Sequence, residues 1–224
     1  GSGLSGVGFS PDADENLVAG TDAGDNLDGT NACFNVLLGI NAGKCATTAP
    51  RNVAIGLSAG CCLNAGQDNV FLGTNAGAQS YNTCRNVVLG NYAGYKIGSG
   101  CNNVLIGNCV NAVYLNSGSN YNVAIGDCAG YCMRIGSSNV FVGIRAGCKT
   151  CCAGDNTFLG NSAGRCNVTG CLNVALGYAA GCEAITNGNK NVFIGAYSGT
   201  GHGGGHACCL AIGFGYYDSW IVGD

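Results

Sequence analysis

Asn69-Val70-Phe71-Leu72-Gly73-Thr74-Asn75-Ala76-Gly77 is the unit from which most of this chain is copied. Copies begin at Asn16, Asn35, Asn52, Asn69, Asn86, Asn103, Asn122, Asn139, Asn156, Asn173 and Asn191, and a degenerate one begins at Cys209. The usual step is the 17 residues from Asn52 to Asn69, lengthened by a residue or two where the chain carries an insertion. A fixed period over nearly the whole length marks a solenoid, in which each repeat buries its apolar face only by stacking on its neighbours. The expected fold is all-β: a β-solenoid, of the β-helix or β-roll kind, with about twelve coils.

With the Asn counted as position zero, positions one and three are apolar in nearly every copy, as in Val53 and Ile55 or Val192 and Ile194. Period-two spacing rich in β-branched residues is a strand signal, and it predicts that these two positions face the core. Position four is Gly throughout, from Gly20 to Gly213, and position eight is usually Gly after Ala, so the coil is expected to turn there. The Asn column is expected to form a ladder whose side chains satisfy backbone groups from coil to coil.

Position two is then expected to point away from the core. It is nonetheless apolar in every copy, including Leu37, Ala54, Phe71, Phe141, Phe158 and Phe193. Stacked at about 4.8 Å per coil, such a stripe runs roughly 58 Å. Soluble monomers seldom expose that much apolar surface. Its cover is an opposite wall of the same coil, another copy of the chain, or a glycan or lipid layer.

Composition narrows the function classes. Only 9% of residues are charged while 47% are hydrophobic, which excludes a disordered chain. Gly 41 with Pro 2 excludes collagen. A net charge of -3 without any dense basic patch argues against nucleic acid as a partner. No apolar run reaches membrane-spanning length. The acidic residues Asp12, Asp14, Glu15, Asp22, Asp25 and Asp28 crowd the first coils, whereas every Lys and Arg lies from Lys44 onward.

Three segments are expected: an arm over residues 1–15 that caps the coil or donates a strand, the repeats over residues 16–213, and an aromatic cap or docking segment over residues 214–224. Self-association is assigned to Leu4, Val7 and Phe9 in the arm, to Phe71, Phe141, Phe158 and Phe193 at position two, and to Tyr216, Tyr217 and Trp220 at the far end.

The content of Cys 17 points to an oxidising, extracellular setting. The chain opens at Gly1 and reads as a mature protein without its leader. Cys45 and Cys62 share one position in consecutive copies, as do Cys109 and Cys128, and Cys84 and Cys101 both stand two residues before an Asn. Equivalent positions in adjacent coils lie about 4.8 Å apart, inside the Cα window for a disulfide. Disulfide rungs are therefore expected between coils at these three pairs, with Cys148 and Cys166 as further candidates.

Other motifs are weaker. His202 and His206, with Cys208 and Cys209, have residue types that suit Zn²⁺, but a Gly-rich loop with a disulfide explains them as well. Asn167-Val168-Thr169 is an N-glycosylation sequon. No nucleophile and base arrangement is legible, so no enzyme activity and no cofactor is expected.

The repeat Asn-Val-x-Ile-Gly-x-x-Ala-Gly, as in Asn52 to Gly60 and Asn122 to Gly130, resembles repeats of phage tail-fibre proteins and, more loosely, of trimeric autotransporter adhesin heads. The resemblance covers roughly residues 16–213. It implies a β-roll or β-solenoid shaft with an extracellular fibrous or adhesive role. The partners expected are other copies of the chain, as a homopolymer or homotrimer, with a glycan as a second candidate. The first expectation is a structural subunit that stacks end to end into an extracellular filament; the alternative is the shaft of a trimeric tail fibre or surface adhesin.

Overall fold

A computed structural model of the protein describes residues 12–111, 119–183, 185–200, 207–215 and 218–223. Each copy supplies one short strand: β1 (Leu17–Ala19), β2 (Val36–Leu38), β3 (Val53–Ile55), β4 (Val70–Leu72), β5 (Val87–Leu89), β6 (Val104–Ile106), β7 (Val123–Ile125), β8 (Val140–Val142), β9 (Thr157–Leu159), β10 (Val174–Leu176), β11 (Val192–Ile194) and β12 (Leu210–Phe214). These pair in parallel in sequence order, like position on like position, so Val53 lies beside Val70 and Ile55 beside Leu72. A last strand, β13 (Asp218–Gly223), pairs antiparallel with β12. The molecule is a β-solenoid with the period read from the sequence.

The strands are short because position four turns the chain at once. Gly56 has φ 131°, and a Cβ added there would stand 2.7 Å from the Gly73 carbonyl oxygen of the next coil. The column is glycine because successive coils touch backbone to backbone. Two further corners use non-glycine residues in left-handed conformation: the residue before each Asn, such as Arg51 (φ 58°) or Leu172 (φ 60°), and position six, such as Ser58 (φ 54°) or Arg145 (φ 57°). The sequence marked neither corner, because these side chains do not advertise a positive φ.

The Asn ladder forms as expected. Asn69 Oδ1 accepts the backbone N–H of Asn86 and its side-chain Nδ2–H, both at 3.0 Å. Asn86 Nδ2 also donates to the Gly100 carbonyl at 2.8 Å, tying the two ends of its own coil. The pattern repeats up to Asn191, whose Oδ1 accepts the Cys209 N–H. At the other end Asp12 replaces the missing rung, its carboxylate accepting the Asn16 N–H at 2.8 Å and Nδ2–H at 3.3 Å.

This ladder corrects the expected orientation of the strands. The Asn side chains are buried, and strand alternation puts positions zero and two on one side. Position two is therefore the core, and positions one and three face outward. Phe71, Phe141, Phe158 and Phe193 lie in the interior with the position-seven alanines, Ala59 to Ala180. The opposite wall of the same coil is what covers the position-two stripe.

Volume is balanced within each slice. Where position two is Phe, position eleven is small or polar, as in Phe71 with Ser80, Phe141 with Thr150 and Phe158 with Asn167. Where position two is Ala, a large side chain fills the space: Leu63 across from Ala54, Met133 across from Ala124 and Ile185 across from Ala175. A narrow coil has room for about one bulky group per layer, and close packing requires that the partner shrink. Phe141 and Phe158 stack in adjacent layers with ring centroids 5.1 Å apart.

Candidate self-association face and cysteine ladder

The outward columns form an apolar strip along the sheet. Position three is aliphatic in every coil, from Ala19 to Ile212, and position one is aliphatic except at Thr157. Leu72 (45%), Leu159 (48%), Val140 and Ile194 are exposed, and the other large members are part-buried. The columns stand side by side because the parallel register is unbroken from β1 to β12. No charged side chain enters either column. One flank is polar, where Arg51 and Asp68, each preceding an Asn, pair at 2.6 Å.

This face differs from the one expected. The four phenylalanines are sealed in the core and offer nothing to a partner, and the aliphatic residues beside them in the strands take that place. The signal was present in the sequence: Asn at position zero fixes the parity of the strand once it is known to be buried. Leu4, Val7, Phe9, Tyr216 and Tyr217 lie outside the described residues. Trp220 belongs to β13, which fixes its backbone as the outermost strand of the sheet.

Of the three expected disulfide rungs one is a bond, Cys84 to Cys101, with Cα atoms 4.7 Å apart. The other cysteines, those of the remaining expected pairs included, are unbonded in this structure. Their columns do assemble. The Cys62 thiol sits within hydrogen-bond reach of Cys45 and of Cys61, and Cys109 adjoins Cys128. Cys148 adjoins Cys132 and Cys128 rather than Cys166, whose neighbour is Cys182. Burial, reinforced by Cys62 and Cys45, pushes the Cys61 thiol up to about 11. Cys132, Cys148 and Cys182 are raised from the usual thiol value chiefly by burial.

Asn167, the sequon residue, lies inside the coil. It is fully buried, its Nδ2 donates to the Gly170 carbonyl and its Oδ1 accepts the Gly170 N–H, both at 2.9 Å. A glycan on that nitrogen would require the turn to open. His202 and His206 lie outside the described residues. Among the described residues no group of three or more His, Cys, Asp or Glu side chains is arranged to hold a metal, and no helix is long and apolar enough to cross a membrane.

Compared with known proteins, the chain matches no family model, no characterised sequence and no solved structure.

Proposed function

We propose that this chain is the structural shaft of an extracellular homo-oligomeric fibre, in which copies lie side by side along the strand face. The observation that carries the reading is the double column of outward residues, aliphatic everywhere but Thr157, running through twelve coils. Eleven steps of about 4.8 Å and a strand about 10 Å wide make a face of roughly 500 Å². That is near the upper end of the largest apolar patch, about 300–600 Å², that a typical monomer exposes, and patches of this size are often functional. Three copies around a common axis would together bury on the order of 1,500 Å², about 500 Å² for each pairwise contact, so residues flanking the strands must add to the strand face to reach the scale of a stable interface. The trimer is the form that the repeat resemblance implies.

Side-by-side association is preferred here to end-to-end stacking for a structural reason. β13 crosses β12 in the antiparallel sense, at the edge where a further parallel coil from a second copy would have to pair. The extracellular setting rests on the cysteine content and the resemblance.

Analytical ultracentrifugation of the whole chain tests the reading. The parent is expected to sediment as a trimer, and a chain carrying both Ile55→Lys and Ile106→Lys as a folded monomer. Both side chains point outward, so a circular dichroism spectrum like the parent's is expected. A monomeric parent, or filaments that lengthen with concentration, would remove the proposal.

A further inference from the structure

Beyond the Gly corner the coils present a second face, built from positions five, six and nine. From the coil of Asn103 to that of Asn191 this face is hollowed into a groove that follows the solenoid axis for about 24 Å. One part, of about 510 Å³, is lined by Asp127, Arg145, Asn161 and Arg165. It continues into a second cavity of about 200 Å³ ending at Tyr178, Glu183 and Tyr197. Ser162, Arg165 and Tyr178 line both.

The chemistry changes along this groove. At one end the Tyr178 and Tyr197 rings meet edge to face with centroids 5.1 Å apart. Both remain about half-exposed, at 50% and 44%. Exposed tyrosines in a concave site offer an apolar plane with a polar rim, a surface for ring C–H groups. In the middle lies Arg165, whose Nε is buried without a hydrogen-bond partner. Its guanidinium also reaches the thiols of Cys166 and Cys182, and thiols are weak acceptors. Because Arg165 lines both cavities, the guanidinium is the cation that an acceptor entering the groove would meet in its middle. Arg145, one coil earlier and exposed, adds a second guanidinium. Guanidinium forks bind carboxylates through paired N–H donors.

The acidic groups refine the ligand class. Asp127 and Glu183 stand at opposite ends of the groove, so a dense polyanion such as nucleic acid would meet repulsion at both. A chain of hydroxyl-bearing rings with sparse carboxylates fits all the groups. Its hydroxyls donate to Asp127, Asn161 and Glu183, its carboxylate accepts from Arg165 and Arg145, and one ring lies on the tyrosines.

We propose that this groove is a binding site for a linear acidic oligosaccharide of the uronic-acid type. The site is separate from the strand face and does not rest on the oligomer.

Isothermal titration of the whole chain with tetragalacturonate tests the assignment, with its methyl ester as a neutral control of the same ring structure. Binding of the acid is expected, and the ester should bind about tenfold more weakly or worse, the scale of a lost charge-assisted hydrogen bond. Arg165→Gln and the exposed Arg145→Gln should each weaken the acid about tenfold, Tyr197→Ala should weaken acid and ester alike, and Arg51→Gln, outside the groove, should bind as the parent does. Arg145→Gln keeps the test decisive if Arg165→Gln does not fold. No heat with tetragalacturonate, equal binding of acid and ester, or parental binding by Arg145→Gln would overturn the assignment.

Discussion

At the scale of single residues, the Asn column does most to hold the coils in register. Each rung satisfies a backbone N–H of the next coil and a carbonyl of its own, so losing one side chain strands several buried groups. Asn86→Ala is expected to cost about 2–4 kcal/mol, since each unsatisfied buried group costs about 1–3 kcal/mol. Chemical denaturation of the purified chain measures this; a loss below about 0.5 kcal/mol would show the ladder to be incidental. The thiols set a pH limit in the same way. Cys61 is raised from 9.0 to about 11 in the fold. Between those values the unfolded chain loses its proton while the folded one keeps it, so stability is expected to fall as pH rises from 9 towards 11. Thermal melts across that range check it, and Cys61→Ser should flatten part of the slope. Asp12 has the opposite sign: the Asn16 N–H holds its carboxyl below the ordinary value, so its contribution is lost on strong acidification. The ladder was legible in the sequence because one residue type recurred at one spacing. The left-handed corners at Arg51, Leu172 and Arg145 were not, because their conformation is imposed by the coil and no feature of these side chains requires it.

At the scale of the coil, each slice is a small sum of volumes. Phe141→Ala is expected to destabilise by about 3–5 kcal/mol through the cavity it leaves. Ala124→Phe is expected to cost about 1–3 kcal/mol by crowding Met133, and adding Met133→Ala should recover much of that loss. A double-mutant cycle read by denaturant midpoints checks this pair; strict additivity would mean the two side chains do not share the space. Alternation alone left two orientations open for Val53-Ala54-Ile55, and apolar residues at all three positions could not separate them. Burial of Asn52 decides it, since its neighbours on the same side are Ala54 and Gly56. The fold class and period were therefore readable from the repeat, while the inside and outside of every strand were reversed. The groove was harder to see, because Arg145, Arg165, Tyr178 and Tyr197 are scattered in sequence and meet only when coils are stacked.

At the scale of the whole molecule, every coil rests on its two neighbours and on nothing farther away, as each strand of β1–β12 pairs only with adjacent ones. Stability is then close to a sum over coils and their junctions, and the Cys84–Cys101 bond fastens one such junction. Assembly through the strand face should inherit the same regularity. An interface of aliphatic side chains is insensitive to charge screening, so the trimer expected by ultracentrifugation should persist in molar salt, where a charge-held complex would dissociate. Because the register never slips, the length of this molecule is adjustable in whole units. A duplication of one 17-residue repeat in the gene would lengthen the rod by about 4.8 Å and leave the chemistry of both ends and the continuity of the outer face as they were. Such tandem changes would be tolerated where the new slice carries its own large and small pair. The solenoid is thus a ruler whose reach can be reset by recombination without redesigning any contact.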